Sequence, residues 1–309
     1  MSSSVGIDVS STTLAVHIRP EGVNFNVSND LSGFKQLVEK ISDYSVSQVL
    51  LEATGGYECA AFRALQQVGI PVCRINPSRA RSFAQSMGKQ AKTDPIDAAV
   101  LAHFAEVLPS QRGIEVTAER ALLRELLLQR DRFVLQRDDD KRRLKQAQSA
   151  CVCASLERHI AYLKLEIKAL EQAIEQQGKE LDDDRLLRLM QVKGIGMITA
   201  AKLVALLPEL GQVDSKEIAA LVGVAPFNQD SGKHSGKRTI WGGRSRVRRA
   251  LYMACWIVIR HNKDFNARYN ALRAQGKCAK VAVVACMRVL IVRLNAMLKS
   301  GAPWREQPA

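Results

Sequence analysis

An aspartate stands inside the first apolar run of the chain, Val5-Gly6-Ile7-Asp8-Val9, and a glutamate closes the next strong one, Gln48-Val49-Leu50-Leu51-Glu52. A carboxylate in or at the end of a buried strand is costly unless something compensates it. Two further acids, Asp94 and Asp97, lie three apart in Lys92-Thr93-Asp94-Pro95-Ile96-Asp97-Ala98. Thr93 or Asp94 can cap a helix and Pro95 suits its first turn, so the spacing predicts a helix with both acids on one face. By themselves Asp94 and Asp97 also read as charges matched to a helix N-terminus. Together with the two strand acids they read as a metal site. Hard divalent cations shared by Asp8, Glu52, Asp94 and Asp97 would compensate all four and would equip the chain to cut phosphodiesters.

The segments around these acids predict an α/β domain. Residues 4–19 read as two strands joined by the polar turn Ser10-Ser11-Thr12-Thr13, and a third strand is expected near Val23 to Val27. A helix over 31–41 and the strand ending at Glu52 follow. Thr54-Gly55-Gly56-Tyr57 then turns into a helix over Glu58 to Val68, stopped by Gly69 and Pro71. Val72 to Ile75 is a short strand, and Asn76-Pro77-Ser78 opens another helix. Three strands, a helix, then alternating strands and helices is the order of a ribonuclease H-like fold, by analogy at the level of fold alone.

Residues 116–180 are different in kind. Leu122, Leu123, Leu126 and Leu127, then Leu163, Ile167, Leu170 and Ile174, recur at helical spacing among charges of both signs, almost without Gly or Pro. One or two long helices are expected, as an antiparallel hairpin or an inter-chain coiled coil, with a break in the Cys151–Ala154 region. Val192-Lys193-Gly194-Ile195-Gly196-Met197 then resembles the hairpin of a helix-hairpin-helix motif, in which glycines let backbone amides approach a phosphate. A tight turn between helices without such contact would look the same. A loop rich in Gly, Ser and cations spans Asn228 to Arg238, with Ser231 between Asp230 and Gly232-Lys233. No base sits beside Ser231 in sequence, so its chemistry alone reads as that of an ordinary loop serine. Trp241-Gly242-Gly243 ends the loop. A basic helix follows with Arg244, Arg246, Arg248 and Arg249, its apolar Val247, Ala250, Leu251 and Met253 expected to face inward.

Charge separates the chain sharply. The formal net charge is +14, and residues 231–309 hold 17 Lys and Arg against 2 Asp and Glu, whereas residues 1–230 hold 28 against 29. The basic block predicts salt-sensitive binding to a polyanion. Val281 to Leu298 is apolar but carries Arg288 and Arg293, so it reads as a core helix with a basic face and not as a membrane span. No basic region followed by an apolar stretch opens the chain. Seven scattered cysteines without a CxxC pair fit reduced thiols in a cytoplasm, and a DNA-processing protein there is expected to be nucleoid-associated. Cys151-Val-Cys153 has no second ligand pair to make a zinc site.

Taken together, VGIDVSSTTLAVHI, LLEATGGYE, INPSRARSFAQSMGKQAKTDPIDAAVLA, VKGIGMITAAKLVA and LVGVAPFNQDSGKHSGKRTIWGGRSRVRRALYMA are similar to one family. They resemble the DEDD-type transposases (recombinases) of bacterial insertion sequences, the IS-one-ten family and its IS-eleven-eleven branch. The resemblance implies a RuvC-like DEDD domain over 1–110, a helical coiled-coil linker or oligomerisation region over 111–185, and a mainly α C-terminal transposase domain over 186–309. It implies that Asp8, Glu52, Asp94 and Asp97 are catalytic and hold Mg²⁺, with Mn²⁺ as a substitute. It also implies a nucleophilic serine, at Ser231 in Asp230-Ser231-Gly232-Lys233. Relatives often have a doubled serine and glycine there, which leaves Ser235 as the alternative. The family's partners are donor and target DNA and a structured non-coding bridge RNA. The expected assembly is a homo-oligomer, a dimer or dimer of dimers, with the active site composed across subunits and no membrane involved. Lys89, Lys92, Gly194, Gly196, Lys233, Lys237, Arg238, Arg244, Arg246, Arg248 and Arg249 are the candidate nucleic-acid contacts.

Three other functions compete. A Holliday-junction-resolvase-like endonuclease would share the four acids but activate water, leaving the C-terminal half without a use. A sugar-kinase-like ATPase would share Gly6-Ile7-Asp8-Val9-Ser10-Ser11-Thr12 as a phosphate loop but needs a second Gly-rich loop that the chain lacks. A non-catalytic nucleic-acid-binding protein would hold the acids for structure alone.

Overall fold

A computed structural model describes residues 2–88, 94–107, 117–181, 183–227, 230–231, 234–235 and 238–304. They fall into two compact units, residues 1–116 and 117–309. The first contains β1 (Ser3–Val9), β2 (Thr13–Arg19), β3 (Val23–Ser28), α1 (Leu31–Ser42), β4 (Val46–Glu52), α2 (Glu58–Gln67), β5 (Val72–Ile75), α3 (Pro77–Ser86) and α4 (Asp94–Val107). The strands form one sheet in the order β3-β2-β1-β4-β5. β1, β2 and β3 are antiparallel neighbours, whereas β1, β4 and β5 run parallel.

Strand alternation sorts the two faces of this sheet. Val5, Ile7, Val9, Val49 and Leu51 pack with Phe34, Leu37 and Ile41 of α1 and with Ala61, Phe62 and Leu65 of α2. Leu50 and Ile75 point the other way, into a cluster with Leu101, Phe104 and Ala105 of α4 and Ala80 of α3. α4 also lies directly on β1. A Cβ added to Gly6 would stand 2.2 Å from both Ala98 O and Ala102 N, so the absence of a side chain is what lets helix and strand meet.

The second unit contains α5 (Ala118–Leu144), α6 (Ala150–Glu180), α7 (Asp184–Met190), α8 (Met197–Leu206), α9 (Ser215–Val222), β6 (Pro226–Phe227), β7 (Asp230–Ser231), β8 (His234–Ser235), β9 (Thr239–Ile240), α10 (Ser245–His261), α11 (Lys263–Ala274) and α12 (Ala279–Ser300). α5 and α6 form an antiparallel hairpin within one chain. Arg130 bonds Glu171 at 2.5 Å and, further along, His159 Nδ1 lies 2.7 Å from the buried Asp140. The expected break at Cys151–Ala154 is corrected: those residues are helical, and the connection is the polar 145–149. Cysteine offers the backbone no reason to leave a helix, and Ser149, with extended backbone angles, is the N-cap from which α6 starts.

α12 is the one described helix long and apolar enough to cross a membrane. Ala282, Val283, Cys286, Met287, Leu290, Ile291 and Leu294 nevertheless bury one side of it in the core of this unit, against α10 and α9. α10 buries Val247, Leu251, Ala254, Cys255 and Val258. Met253, expected to face inward, is instead 66% exposed. The buried stripe recurs at three and four residues from Val247, and position 253 falls outside that arc.

Candidate active site and nucleic-acid interface

Asp8 follows Gly6 by two residues on β1, and Glu52 follows Leu50 by two on β4, so alternation puts both acids on the face covered by α4. The register Ile7↔Leu51 makes them neighbours at the carboxyl ends of adjacent parallel strands. From β1 the sheet continues one way to β2 and the other way to β4 and β5. Such a switch point is where open α/β sheets bind ligands.

The direction of α4 is fixed by its far end. Arg19 Nε donates to Glu106 at 2.9 Å, and Arg19 pairs with Ser4 in the β1–β2 ladder. The C-terminal end of α4 therefore lies by the start of β1. From Glu106 back to Asp97 is about 13 Å of helix at roughly 1.5 Å per residue. From Ser4 to Asp8 is about 13 Å of strand at roughly 3.3 Å per residue. Asp97 thus reaches the same edge as Asp8 and Glu52, and all three are half-buried. Asp94 is the first residue of α4, one turn earlier. Among the described residues, no three His, Cys, Asp or Glu side chains stand close enough together to hold a metal ion. The edge gathers the positions, and its donors are carboxylate oxygens, the type that suits a hard divalent cation.

Two residues that sequence reasoning passed over hold the loops at this edge. Asn29 Nδ2 donates to Ser10 O at 2.8 Å and to Tyr57 O at 3.2 Å, tying the turn after Asp8 to the loop after Glu52. Glu58, 3% exposed, accepts the backbone N–H groups of Thr54 and Gly56 and faces Arg74 at 3.7 Å. Glu58 was readable only as a helix residue. The signal it did carry is an acid at the start of a helix that follows a Gly-Gly turn.

In the second unit, β6 and β9 pair antiparallel as a short ribbon, and its tip carries a smaller one, with Ser231 opposite His234 and Asp230 opposite Ser235. Lys233 and Lys237, like Lys89 and Lys92, lie outside the described residues. The base of this double ribbon is fixed onto the C-terminal end of α9. Gly223, Gly242 and Gly243 all have left-handed backbones, and a Cβ on Gly243 would stand 2.2 Å from Gly223 N. Arg248 Nη1 donates to the carbonyls of Gly242 at 2.6 Å, Val222 at 3.2 Å and Gly223 at 3.4 Å. Arg244 reaches Glu209 with both terminal nitrogens at 2.5 Å, and its own N–H bonds Leu221 O at 2.8 Å. These two candidate DNA contacts are struts of the loop in this structure, whereas Arg238, Arg246 and Arg249 stay exposed.

The glycine hairpin between α7 and α8 divides its work. Gly194, at φ 107°, sits where a Cβ would be 3.1 Å from Val258 N, so it lets the turn press on α10. Gly196 is exposed, has open space around it and is the N-cap of α8. A groove of about 790 Å³ is lined by the ribbon and α12, with valines of α12 such as Val281 and Val284 and the cations Arg238, Arg268, Lys280 and Arg288 among its lining.

This combination of a split-direction sheet edged with acids and a basic helical unit describes a nucleic-acid-processing enzyme. Comparison with known proteins agrees. Residues 5–150 match a DEDD transposase family model and residues 186–270 match the transposase IS116/IS110/IS902 family. The chain is 27% identical, over 98% of both lengths, to the pilin gene-inverting proteins of Moraxella lacunata and Moraxella bovis. It is 29% identical, over 50% of its own length and 39% of the other's, to an uncharacterized 42 kDa protein of the insertion element IS900 of Mycobacterium paratuberculosis. The chain belongs to the IS110 family of insertion-sequence transposases, DNA recombinases by class. A DEDD transposase domain implies a divalent metal and a DNA substrate.

Proposed function

We propose that this transposase cuts and exchanges DNA strands through a covalent link to Ser231, with the acidic edge of a ribonuclease H-like domain as its second catalytic element. The observation that carries the reading is that Asp8, Glu52 and Asp97 are positioned at one edge of the sheet, in a chain whose second unit bears Ser231 on a short ribbon. Asp8, Glu52, Asp94 and Asp97 would hold Mg²⁺, which supplies charge neutralisation at the scissile phosphate. The Ser231 hydroxyl oxygen bonds to phosphorus, its proton leaves, and the bond to the 3′-oxygen breaks to release a 3′-hydroxyl. Attack by another strand's 3′-hydroxyl reverses these steps and frees the serine. Such balanced exchange serves inversion, named for the Moraxella relatives, as well as insertion.

Activation of the Ser231 hydroxyl would come from the acidic edge, within one chain or from a partner in a homo-oligomer. Tyr162 and Leu165 of the α5–α6 hairpin, 53% and 68% exposed, suit such an interface. The exposed Arg238, Arg246 and Arg249 and the Gly196 cap of α8 are the proposed backbone contacts. Sequence choice would come from a bridge RNA that pairs with donor and target DNA, at work in the cytoplasm.

The test is a denaturing gel of the full chain with labelled donor DNA, Mg²⁺ and RNA transcribed from the native flanks. A protease-sensitive, slow-migrating DNA adduct is expected, absent in Ser231→Ala and Asp8→Ala. Cleavage without adduct, indifferent to Ser231→Ala, would make the protein a water-using endonuclease of the junction-resolvase kind.

A further inference from the structure

Of the three tryptophans, two are accounted for by packing. Trp256 stands edge-on between Tyr252 and Tyr269, and Trp304 rests against the core of the second unit. Trp241 is 75% exposed. Phe227, 46% exposed, is the other large apolar side chain of the same ribbon left to water. Burial of either ring would be worth more than its exposure, so two uncovered rings on one short element call for an occupant.

Their arrangement names one. Phe227 pairs with Thr239, and Trp241 directly follows Ile240, the last residue of β9, so the two rings stand at the same end of the double ribbon. Pro226, Thr239 and Ile240 of the ribbon line the groove by α12, whereas neither ring does. The platform is held still: the carbonyl of Gly242, next to Trp241, takes the 2.6 Å bond from Arg248. Exposed cations surround it in sequence, with Arg238 before it and Arg246 and Arg249 after it. Flat apolar rings among cations match a chain of flat apolar bases joined by phosphates. An acidic peptide would satisfy the cations but has no repeated flat surface for two rings.

We propose that Trp241 and Phe227 form a base-stacking face that holds unpaired nucleotides at the root of the Ser231 ribbon. The proposal deepens the strand-exchange reading and rests on it: opening a duplex to exchange strands exposes bases, and stacking on protein rings would retain them beside the cut. Every base has a flat face, so such a platform tolerates sequence and leaves its choice to pairing elsewhere.

The experiment titrates the full-length protein with oligo(dT), oligo(U) and a duplex of equal length, and reads binding by anisotropy and by tryptophan emission. Both single strands are expected to quench wild-type emission, and the quench should vanish in Trp241→Phe, which keeps most of the affinity. Trp241→Ala should bind single strands about tenfold or more weakly, with Phe227→Ala moving the same way. Duplex affinity and thermal unfolding should stay unchanged, because the rings bear on neither. Preference for oligo(dT) or oligo(U) would tell whether the retained strand is DNA or RNA. Equal single-strand affinity of Trp241→Ala and wild type would overturn the proposal, as would Trp241 emission that is already shielded in the free protein and indifferent to oligonucleotide. Those results would leave the adduct gel unaffected. Failure of the wild type to bind any strand or duplex would overturn both this proposal and the recombination reading.

Discussion

Gly6→Ala tests whether α4 delivers Asp97 to the acidic edge. The added Cβ would lie 2.2 Å from Ala98 O and Ala102 N and 2.8 Å from Leu101 C, all backbone atoms that no rotamer change can move aside. Ordinary contact begins near 3.4 Å, so α4 must retreat from β1 by about 1.2 Å. Overpacking of this kind costs about 1–3 kcal/mol. For a unit near 100 residues that is a fall in unfolding temperature of roughly 4–8 °C per kcal/mol. The chemistry should suffer more, because misplacement of a reacting group by about 1 Å costs on the order of a hundredfold in rate. Differential scanning calorimetry should show the first unit melting earlier with the second unmoved, and donor cleavage at a temperature well below that transition should fall about a hundredfold. Cleavage and melting both like those of wild type would refute the reasoning, since α4 would then not rest on β1 and Asp97 would have no path to Asp8.

Other perturbations separate struts from contacts. Arg248→Ala strips three carbonyls of their donor and should lower stability by about 1–3 kcal/mol, seen by urea unfolding, and cut adduct formation with it. Arg246→Ala and Arg249→Ala should leave unfolding unchanged and each reduce the salt dependence of DNA binding by about one ion. Asn29→Ala should slow cleavage and raise the Mg²⁺ concentration needed for half-maximal rate, with far-ultraviolet circular dichroism unaltered. The Asp30 carboxyl, held down to about 2 by the Gly33 amide and the Ser32 and Ser28 hydroxyls, caps α1. Its contribution to stability is complete above the ordinary value of 3.8 and lost as pH falls toward 2, so Asp30→Asn should flatten the acid limb of an unfolding curve in that window. Burial pushes the Cys255 thiol up and Cys286 up to about 11, so both should resist Ellman's reagent in the native protein while the exposed Cys151 and Cys278 react.

Much of the first unit was legible because each of its elements is punctuated. Pro77 at the first turn of α3, the Gly69-Pro71 stop after α2 and strict alternation along β2 left little choice of boundary. The acids of β1 and β4 stood out because nothing else in those runs is charged. What the sequence hid is the contact that joins them to α4. Gly6 reads as one small residue in a strand, and only the helix lying across it shows why a methyl would not fit. The second unit was harder. α9 is eight residues long, too short for its periodicity to register, although its Asp214–Glu217 capping box is a start signal. The arginines of α10 were read by charge, and charge cannot tell a guanidinium aimed at water from one aimed at carbonyls.

That distinction changes what the basic block means. The excess of cations over acids after residue 230 looks like one surface for a polyanion, yet part of it is spent inside the fold. Arg244 is matched by Glu209, an acid from before the block, and Arg293 by Asp264, while Arg248 serves carbonyls. A guanidinium has five donors in a fixed fork, so it can bridge several carbonyls of a glycine-rich turn where a lysine would satisfy one at a time. The turn so braced is the one from which the serine ribbon springs. Arginines at these positions therefore divide: some fix the root of the ribbon in place, as a lysine could not, and the exposed ones beside them are left for the proposed phosphate contacts. A version with every arginine of α10 changed to lysine would keep the net charge and the long-range attraction to DNA, but would lose the brace. Its affinity for duplex should survive, and its adduct formation should not.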